Sequence, residues 1–586
     1  MAEASHQQAG FTLRAAIIAV VLSLFLLACS SYVALKLGIA PWPIIFSVVV
    51  SASLIKVLNR SGVVSIHEIN VAQAGASIGG LVAAGVVFTV PGILFLAKTR
   101  GLDVPWPNPW LLGLVTAAAG TLGLLLSVPL KFTFVDQEKL PYPAGTAGAE
   151  LLKAGKTGGR KLALVVMVGA LAGIFALSRD LWFPGGFQLA ALAGAGVFVT
   201  LQPFPLFLAG GYILGTKSGY SWLGGAVLGW VVIVPILFRL GFDFSAAQAF
   251  ARNLGMGIVL GGGLGFFVAY LFPRIRQFWQ SLLQLRKTFL RLLPLLLLGS
   301  FLSLVVAGVP SLAAMLTLLG VCLMVVVAAR MTGETNIDPL EQFGIFVGLV
   351  VATTYQILSL DLTLQASFMI VTFVSVACAI AGDAGHDYKS AAIIGTRFGD
   401  VVKVDLIAVI FAAFAAPFVL DIIRLGFGGV LFTSEMPAPQ AQMVAGSIFG
   451  FEYPIVFTSG MAVGFCGQFL NRVLPSRMQD RVLLMPAGIG LFLGLSLALP
   501  LAAGAFIRSR IDKRRPDLFH PGLVIAAGVM GGEGIAGFGA GALTVAGLDF
   551  GLSSMILLVP GLLIFLFSCL VLARSSRART EQSTQT

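Results

Sequence analysis

The sequence predicts an all-α, polytopic membrane protein with about sixteen transmembrane helices in two repeat-related halves, some of them broken or re-entrant. Three observations carry that expectation. Of 586 residues, 58% are apolar and only 11% are charged, against about 25% charged in an ordinary soluble domain. The apolar residues gather into runs of about 20, the length that spans a bilayer as helix. Short segments also recur in the same order in the two halves of the chain.

A mean hydropathy of +0.98 excludes a string of soluble domains and excludes disorder. Glycine is abundant at 70 residues but follows no three-residue period, so collagen is excluded and close helix packing in lipid is favoured. The five cysteines (Cys29, Cys322, Cys378, Cys466, Cys569) lie in or at the ends of apolar runs without a CxxC pair. Neither a disulfide framework nor a thiolate metal site is indicated. The net charge of +12 comes from short basic clusters between apolar runs. There they orient a membrane protein and face anionic lipid; no nucleic-acid partner is expected.

The runs, in order, are 12–35, 40–57, 72–97, 109–130, 162–179, 188–215, 222–240 and 256–273, then 290–308, 311–330, 341–358, 366–383, 404–422, 453–470, 484–507, 521–546 and 553–573. The first ends Leu26-Leu27-Ala28-Cys29, like a lipoprotein cleavage site, but continues through Tyr32, Val33 and Leu35 and is read as a span. Basic loops at 131–161 and 274–291 fall on the cytoplasmic side when the N-terminus starts inside. The cluster Arg508, Arg510, Lys513, Arg514 and Arg515 joins them if 484–507, interrupted by Gly488, Gly490, Gly494 and Pro500, enters and leaves on one side. Segment 188–215, with Pro203 and Pro205, is a second candidate for such a break. The expected organisation is a first half over 1–273, a basic linker over 274–289, a second half over 290–573 and a tail over 574–586. Both termini are expected to be cytoplasmic, in a cytoplasmic (inner) membrane.

Three internal matches support duplication: Glu68-Ile69-Asn70-Val71 with Glu334-Thr335-Asn336-Ile337, Pro205–Ile213 with Pro500–Ile507, and the polar loops Asp136–Thr146 and Asp383–Thr396. Repeats of this kind commonly enclose a substrate site between interrupted helices. Tyr212, in one of the matched segments, is a further substrate- or proton-binding candidate.

An acidic residue inside an apolar run is costly and normally faces a cavity or a partner. Glu533, among Gly531, Gly532, Gly534 and Gly537, is the first choice for a proton or substrate-amine site. That reading needs a wet pathway; a basic neighbour locked onto Glu533 in a tightly filled interior would remove its support, and with it the mechanism. Glu68, Asn70 and Gln73 in the first half, and Glu334, Asn336 and Glu341 in the second, are further substrate or proton candidates, although carboxylates and amides at helix starts also serve as caps. Glu138 and Tyr142 in one polar loop, with Asp383, His386 and Asp387 in the other, read as solvated gate elements. Their spacing does not complete a metal site. Gly215-Thr216-Lys217-Ser218 lacks the glycine before lysine that a phosphate loop needs. No H-E-x-x-H or G-x-S-x-G occurs, so no enzyme and no cofactor are expected.

Several motifs together resemble one family. Asn70-Val71-Ala72-Gln73-Ala74-Gly75-Ala76-Ser77, continuing to Val90-Pro91, is similar to the oligopeptide transporter (OPT) family. So are Glu138-Lys139-Leu140-Pro141-Tyr142-Pro143-Ala144-Gly145-Thr146, Pro437-Ala438-Pro439-Gln440-Ala441 and Gly528–Gly537, in the order of the prokaryotic branch. The Lys-Leu-Pro-Tyr-Pro element is shared with the related yellow stripe-like metal-chelate transporters. The Asn-Pro-Gly and Lys-Glu-His elements of the eukaryotic peptide branch are absent, and Glu334–Pro339 replaces a Ser-Asn-Asn-type segment. The resemblance implies a secondary transporter of short peptides, thiols of the glutathione type or metal chelates, usually moved inward with protons. The expectation is therefore a proton-coupled carrier of small peptides working by alternating access. Metal-chelate uptake is the alternative and a gated channel a more distant one. The expected partners are the substrate, protons and membrane lipid, with association as a homodimer left open.

Overall fold

The computed structural model describes residues 8–39, 44–58, 65–102, 104–153, 159–182, 187–188, 200–201, 203–271, 287–336, 338–433, 435–473 and 483–547. Most of the 274–289 linker, the expected span 553–573 and the tail 574–586 lie outside the described residues.

The first part of the chain forms α1 (Leu13–Leu37), α2 (Ile44–Leu58), α3 (Ile66–Val87), α4 (Gly92–Arg100), α5 (Pro109–Lys131), α6 (Pro143–Lys153), α7 (Gly159–Trp182), α8 (Pro205–Leu214), α9 (Thr216–Val227), α10 (Val234–Arg239) and α11 (Phe244–Leu271). The second part forms α12 (Lys287–Val306), α13 (Ser311–Thr335), α14 (Leu340–Ile357), α15 (Leu364–Ile394), α16 (Phe398–Phe427), α17 (Pro439–Phe449), α18 (Pro454–Val473), α19 (Leu484–Leu493), α20 (Leu495–Arg514) and α21 (Phe519–Val545). Two short strands, Phe187–Gln188 and Thr200–Leu201, pair antiparallel.

Local signals set several of these boundaries. Thr12 and Thr363 accept hydrogen bonds from Ala15 N and Ala366 N and so cap α1 and α15, satisfying amides that a helix start leaves open. Asn108 does the same for α5, with Pro109 at the first helical position.

Nine helical stretches among the described residues are long and apolar enough to cross a membrane. Five shorter apolar helices accompany them, and one further pair, α17 with α18, is bent by 114°. Helix α15 packs against α3, α5, α13 and α14, and 83% of its apolar window is buried. The outer faces carry Leu292, Leu295, Leu298 and Leu302 on α12 and Met315 and Leu319 on α13, all exposed. An apolar exterior over helices that satisfy their own backbone is what lipid requires. This is a multi-pass membrane protein.

The expected break in 484–507 occurs at Gly494, between α19 and α20, and Gly215 separates α8 from α9 in the same way. Their backbones match: φ 82°, ψ −180° at Gly215 and φ 84°, ψ −177° at Gly494. This conformation is open to glycine and closed to most other residues. Pro500 lies inside α20 rather than at a break. Gly490 serves a different end, since a side chain there would strike the Trp222 carbonyl of α9.

The internal matches fall differently from their sequence alignment. Glu68 occupies the first turn of α3, whereas Glu334 occupies the last turn of α13, so the two are not equivalent. Another pair of features does recur. Tyr142 and Ala438, each followed by proline, adopt positive φ of 40° and 44°. Tyr142 N donates to Gly333 O at 2.8 Å, and Ala438 N donates to Leu35 O at 2.8 Å. Each accepting helix then ends in a left-handed residue, Asn336 after α13 and Gly38 after α1. Similar Pro-x-Pro clasps thus hold α6 to α13 and α17 to α1.

Candidate functional site

Asp383, His386, Asp387 and Ser390 are spaced by three and four residues on α15, which puts them on one face. Asn70, Gln73 and Ser77 have the same spacing on α3. The two stripes interlock in the interior. Gln73 Nε2 donates to Asp387 Oδ1 at 3.2 Å, and Ser77 Oγ donates to Asp387 Oδ2 at 3.4 Å. Ser390 Oγ donates to Asn70 Oδ1 at 2.6 Å, and Asn70 Nδ2 donates to Thr396 Oγ1 at 3.1 Å. Asp387 is buried, yet it is held by neutral donors only.

The reading of Asp383–Lys389 as a solvated loop is corrected. These residues continue α15 without interruption, and Asp383, His386, Asp387 and Tyr388 are all buried. Their polarity is met by other helices rather than by water. Tyr388 Oη lies 2.9 Å from Ser127 Oγ of α5. Gly145 N at the start of α6 donates to His386 Nδ1 at 3.2 Å. With Nδ1 accepting, the neutral ring carries its proton on Nε2, which faces Asp383 Oδ1 at 3.8 Å.

The first polar loop behaves as a clasp. Tyr142 lies edge-on to His386, with ring centroids 5.4 Å apart, and its hydroxyl donates to Ala329 O at 2.8 Å. A side chain at Gly385 or Gly333 would collide with the Tyr142 ring. Ala144 N donates to Asn336 Oδ1 at 3.2 Å. Glu138 and Glu334 both bind Arg330, at 2.8 Å and 3.3 Å, so Glu334, Asn336, Glu138 and Tyr142 form one structural joint. Tyr142 and Tyr388 are both buried.

Other acids extend the row on α15. Asp338, in the connection from α13 to α14, has no hydrogen-bond partner on either carboxylate oxygen among the described residues. Glu341 and Gln342 open α14 and are buried. Asp405 on α16 is fully buried with both oxygens unpartnered, and Asp387 is its charged neighbour. Among the described residues, no lysine or arginine pairs with Asp338, Asp383, Asp387 or Asp405. Asp405 was missed as a site residue although it lies in the predicted run 404–422; the argument that singled out Glu533 applies to it equally.

Glu533 has the opposite surroundings. It is fully buried on α21, but Arg179 Nη1 of α7 donates to its Oε1 at 2.8 Å. Leu206 N, in the first turn of α8, donates to its Oε2 at 2.8 Å. The Arg179 guanidinium also stacks 4.0 Å from the Phe204 ring centroid. A side chain at Gly532 would strike the Gly169 backbone, so α7 and α21 touch closely here. This is the locked, tightly packed arrangement that removes the support for Glu533 as the proton site. Its carboxylate neutralises an arginine and caps a helix start. The mechanism that ran through Glu533 is abandoned.

The remaining candidates are structural contacts or lie apart from the row. Glu68 accepts from Thr12 Oγ1 at 2.5 Å and from Arg14 Nε at 2.9 Å and Nη2 at 2.6 Å, tying α3 to the start of α1. Tyr212 on α8 donates to Phe519 O at 3.2 Å, far along the chain from the α15 stripe.

The model of the family described as OPT oligopeptide transporter protein matches residues 10–260 and 285–544. The chain belongs to the OPT family. A Haemophilus influenzae relative named "Putative oligopeptide transporter" is 35% identical over 220 residues, covering 37% of this chain and 33% of that protein. A relative from Oryza sativa subsp. japonica, "Probable metal-nicotianamine transporter YSL9", is 23% identical over 512 residues, covering 75% of this chain and 72% of that protein. This OPT chain thus matches about a third of the length of the bacterial relative and most of the plant one.

Proposed function

We propose that this OPT transporter is a proton-coupled carrier of small peptides or peptide-like solutes, working by alternating access in the cytoplasmic membrane with both termini inside. The observation that carries the reading is Asp387, a buried carboxylate bonded to Gln73 and Ser77 across two interior helices with no counterion among the described residues. In a water-poor interior an ionised carboxylate held by neutral donors is costly. Proton uptake removes that cost, and the loaded protein is then freer to change conformation. Matching glycine breaks at Gly215 and Gly494 and paired Pro-x-Pro clasps support two repeat-related halves that move against each other.

The test is Asp387→Asn in proteoliposomes. Uptake driven by a pH step should be lost, while exchange of substrate across the membrane at equal pH persists. Undiminished pH-driven accumulation would overturn the assignment. Metal chelates are the second reading, favoured by the greater coverage of the plant relative. Uptake from a mixed pool of peptides and metal chelates, with and without a pH step, separates the two.

A further inference from the structure

The chain entering α1 lies across the end of the α3–α15 seam. Gln8 N donates to Gly395 O at 3.0 Å, and Arg397 N donates to Gln8 O at 2.9 Å. The strap thus pairs with the α15–α16 connection in a single parallel bridge. Two residues on, Gly10 N and Phe11 N both donate to Asp400 Oδ2 of α16, at 3.0 Å and 3.3 Å. Gly10 sits so close to α3 that a side chain there would strike the His67 carbonyl. Beneath the strap the polar row begins. His67 Nδ1 lies 3.2 Å from Thr396 Oγ1, which Asn70 also reaches, and Asn70 holds Ser390, one turn from Asp387. His67, Asn70, Ser390, Thr396 and Asp400 are all buried.

The strap is fastened differently from the helices around it. Gln8, Ala9, Phe11, Thr12 and Leu13 are all exposed, so no side chain from Gln8 to Leu13 is buried. Its hold comes from hydrogen bonds to the connection, to the Asp400 carboxylate and, through Thr12, to Glu68. Apolar burial, the main term that holds helices to a core, is missing. A segment tied in this way opens at a fraction of the cost of the core. The residues beneath it are the reverse. They are polar and buried, and they are bonded to one another across two helices without using the strap as a partner. Releasing the strap leaves those bonds in place and exchanges its own for bonds to water.

We propose that residues 8–12 are a removable cover over this end of the seam, latched by Asp400. Its release admits water to the row His67, Thr396, Asn70 and Ser390, and so toward Asp387. Asp400 lies in the first turn of α16, and one of its oxygens serves two strap amides, so its loss frees both at once. Gly10 lets the closed strap lie flat on α3. The part that the cover plays in transport rests on the carrier reading above; its opening does not.

The experiment uses the purified full-length chain in lipid nanodiscs, carrying Ser390→Cys, treated with a charged methanethiosulfonate and read by peptide mapping. Native Cys378, fully buried on the same helix, is the internal reference. The introduced thiol should react slowly. Asp400→Ala and Gly10→Val should each speed its reaction by about tenfold or more, with Cys378 unchanged. Asp400→Asn, which keeps an oxygen for the two amides, should fall between. Asp512→Asn, on the exposed Arg508–Asp512 pair, should have no effect. Should Asp400→Ala not fold, Gly10→Val carries the test. Three results would overturn the proposal: a thiol at position 390 that reacts fast with the strap intact, rates that neither strap variant raises, or an acceleration that Cys378 shares equally. If the strap variants leave the rate unchanged while the parent chain shows pH-driven uptake, the cover is wrong and the carrier reading stands. If they raise it and the parent chain shows no uptake, the reverse follows.

Discussion

Two fully buried carboxylates in this protein lead opposite lives. Glu533 meets an arginine and a helix N-terminus, while Asp387 meets an amide and a hydroxyl. Both look equally costly from the apolar sequence around them. The difference lies in the counter-charge. A carboxylate neutralised by a guanidinium is part of the scaffold, and removing it leaves a buried positive charge. A carboxylate among neutral donors gains from proton binding, and the neutral form leaves no stranded charge behind.

The sharpest way to break this comparison is Glu533→Gln. It should destabilise the protein by about 3–5 kcal/mol, the range for breaking a buried ion pair, read as a fall in folded yield and melting temperature. Adding Arg179→Met should recover much of that loss. Whatever folded Glu533→Gln protein remains should keep its pH dependence of uptake, and a selective loss of coupling would return Glu533 to the proton pathway.

Gly385→Ala comes next. It drives a methyl group into the Tyr142 ring, and overpacking of this kind costs about 1–3 kcal/mol. Unfolding of Gly385→Ala alone and combined with Tyr142→Ala measures it, because the smaller partner should restore part of the stability. Additive losses would show that the clasp is not seated against α15.

A smaller effect is expected for Glu68→Gln. Its partner Arg14 is 31% exposed, so water replaces much of the lost pairing and about 1 kcal/mol or less is at stake. A loss as large as that of Glu533→Gln would contradict the distinction between a rim pair and an interior one. Asp387→Asn should have the smallest effect on stability, within about 1 kcal/mol, because the amide keeps the shape and removes a charge that nothing neutralises. A melting temperature that falls as far as for Glu533→Gln would place a hidden counterion beside Asp387.

Much of this molecule was legible in the chain. Apolar runs of bilayer length and sparse charge determined the membrane class, because lipid admits only segments that satisfy their own backbone. The Asn70–Gln73 segment and the Lys-Leu-Pro-Tyr-Pro element pointed to the family that the comparisons found. The expected break in 484–507 occurs at Gly494, since glycine at positive φ is a local property and can be read locally; in 188–215 the break falls at Gly215 rather than at Pro203 or Pro205, and residues 189–199 and 202 lie outside the described residues.

The candidate site was less legible. Asp383–Lys389 looks solvated because its residues are polar, and only the opposing stripe on α3 and the contacts from α5 and α6 make it an interior surface. Glu533 looks unpaired because Arg179 is distant in sequence. The correct geometric partner of the Tyr142 clasp, Ala438, shares just its flanking prolines. Local sequence decides which segments become helices and where glycine permits a break, because those energies depend on near neighbours. Which buried charge is neutralised and which is not depends on side chains brought together from opposite ends of the chain, and that is decided by packing alone.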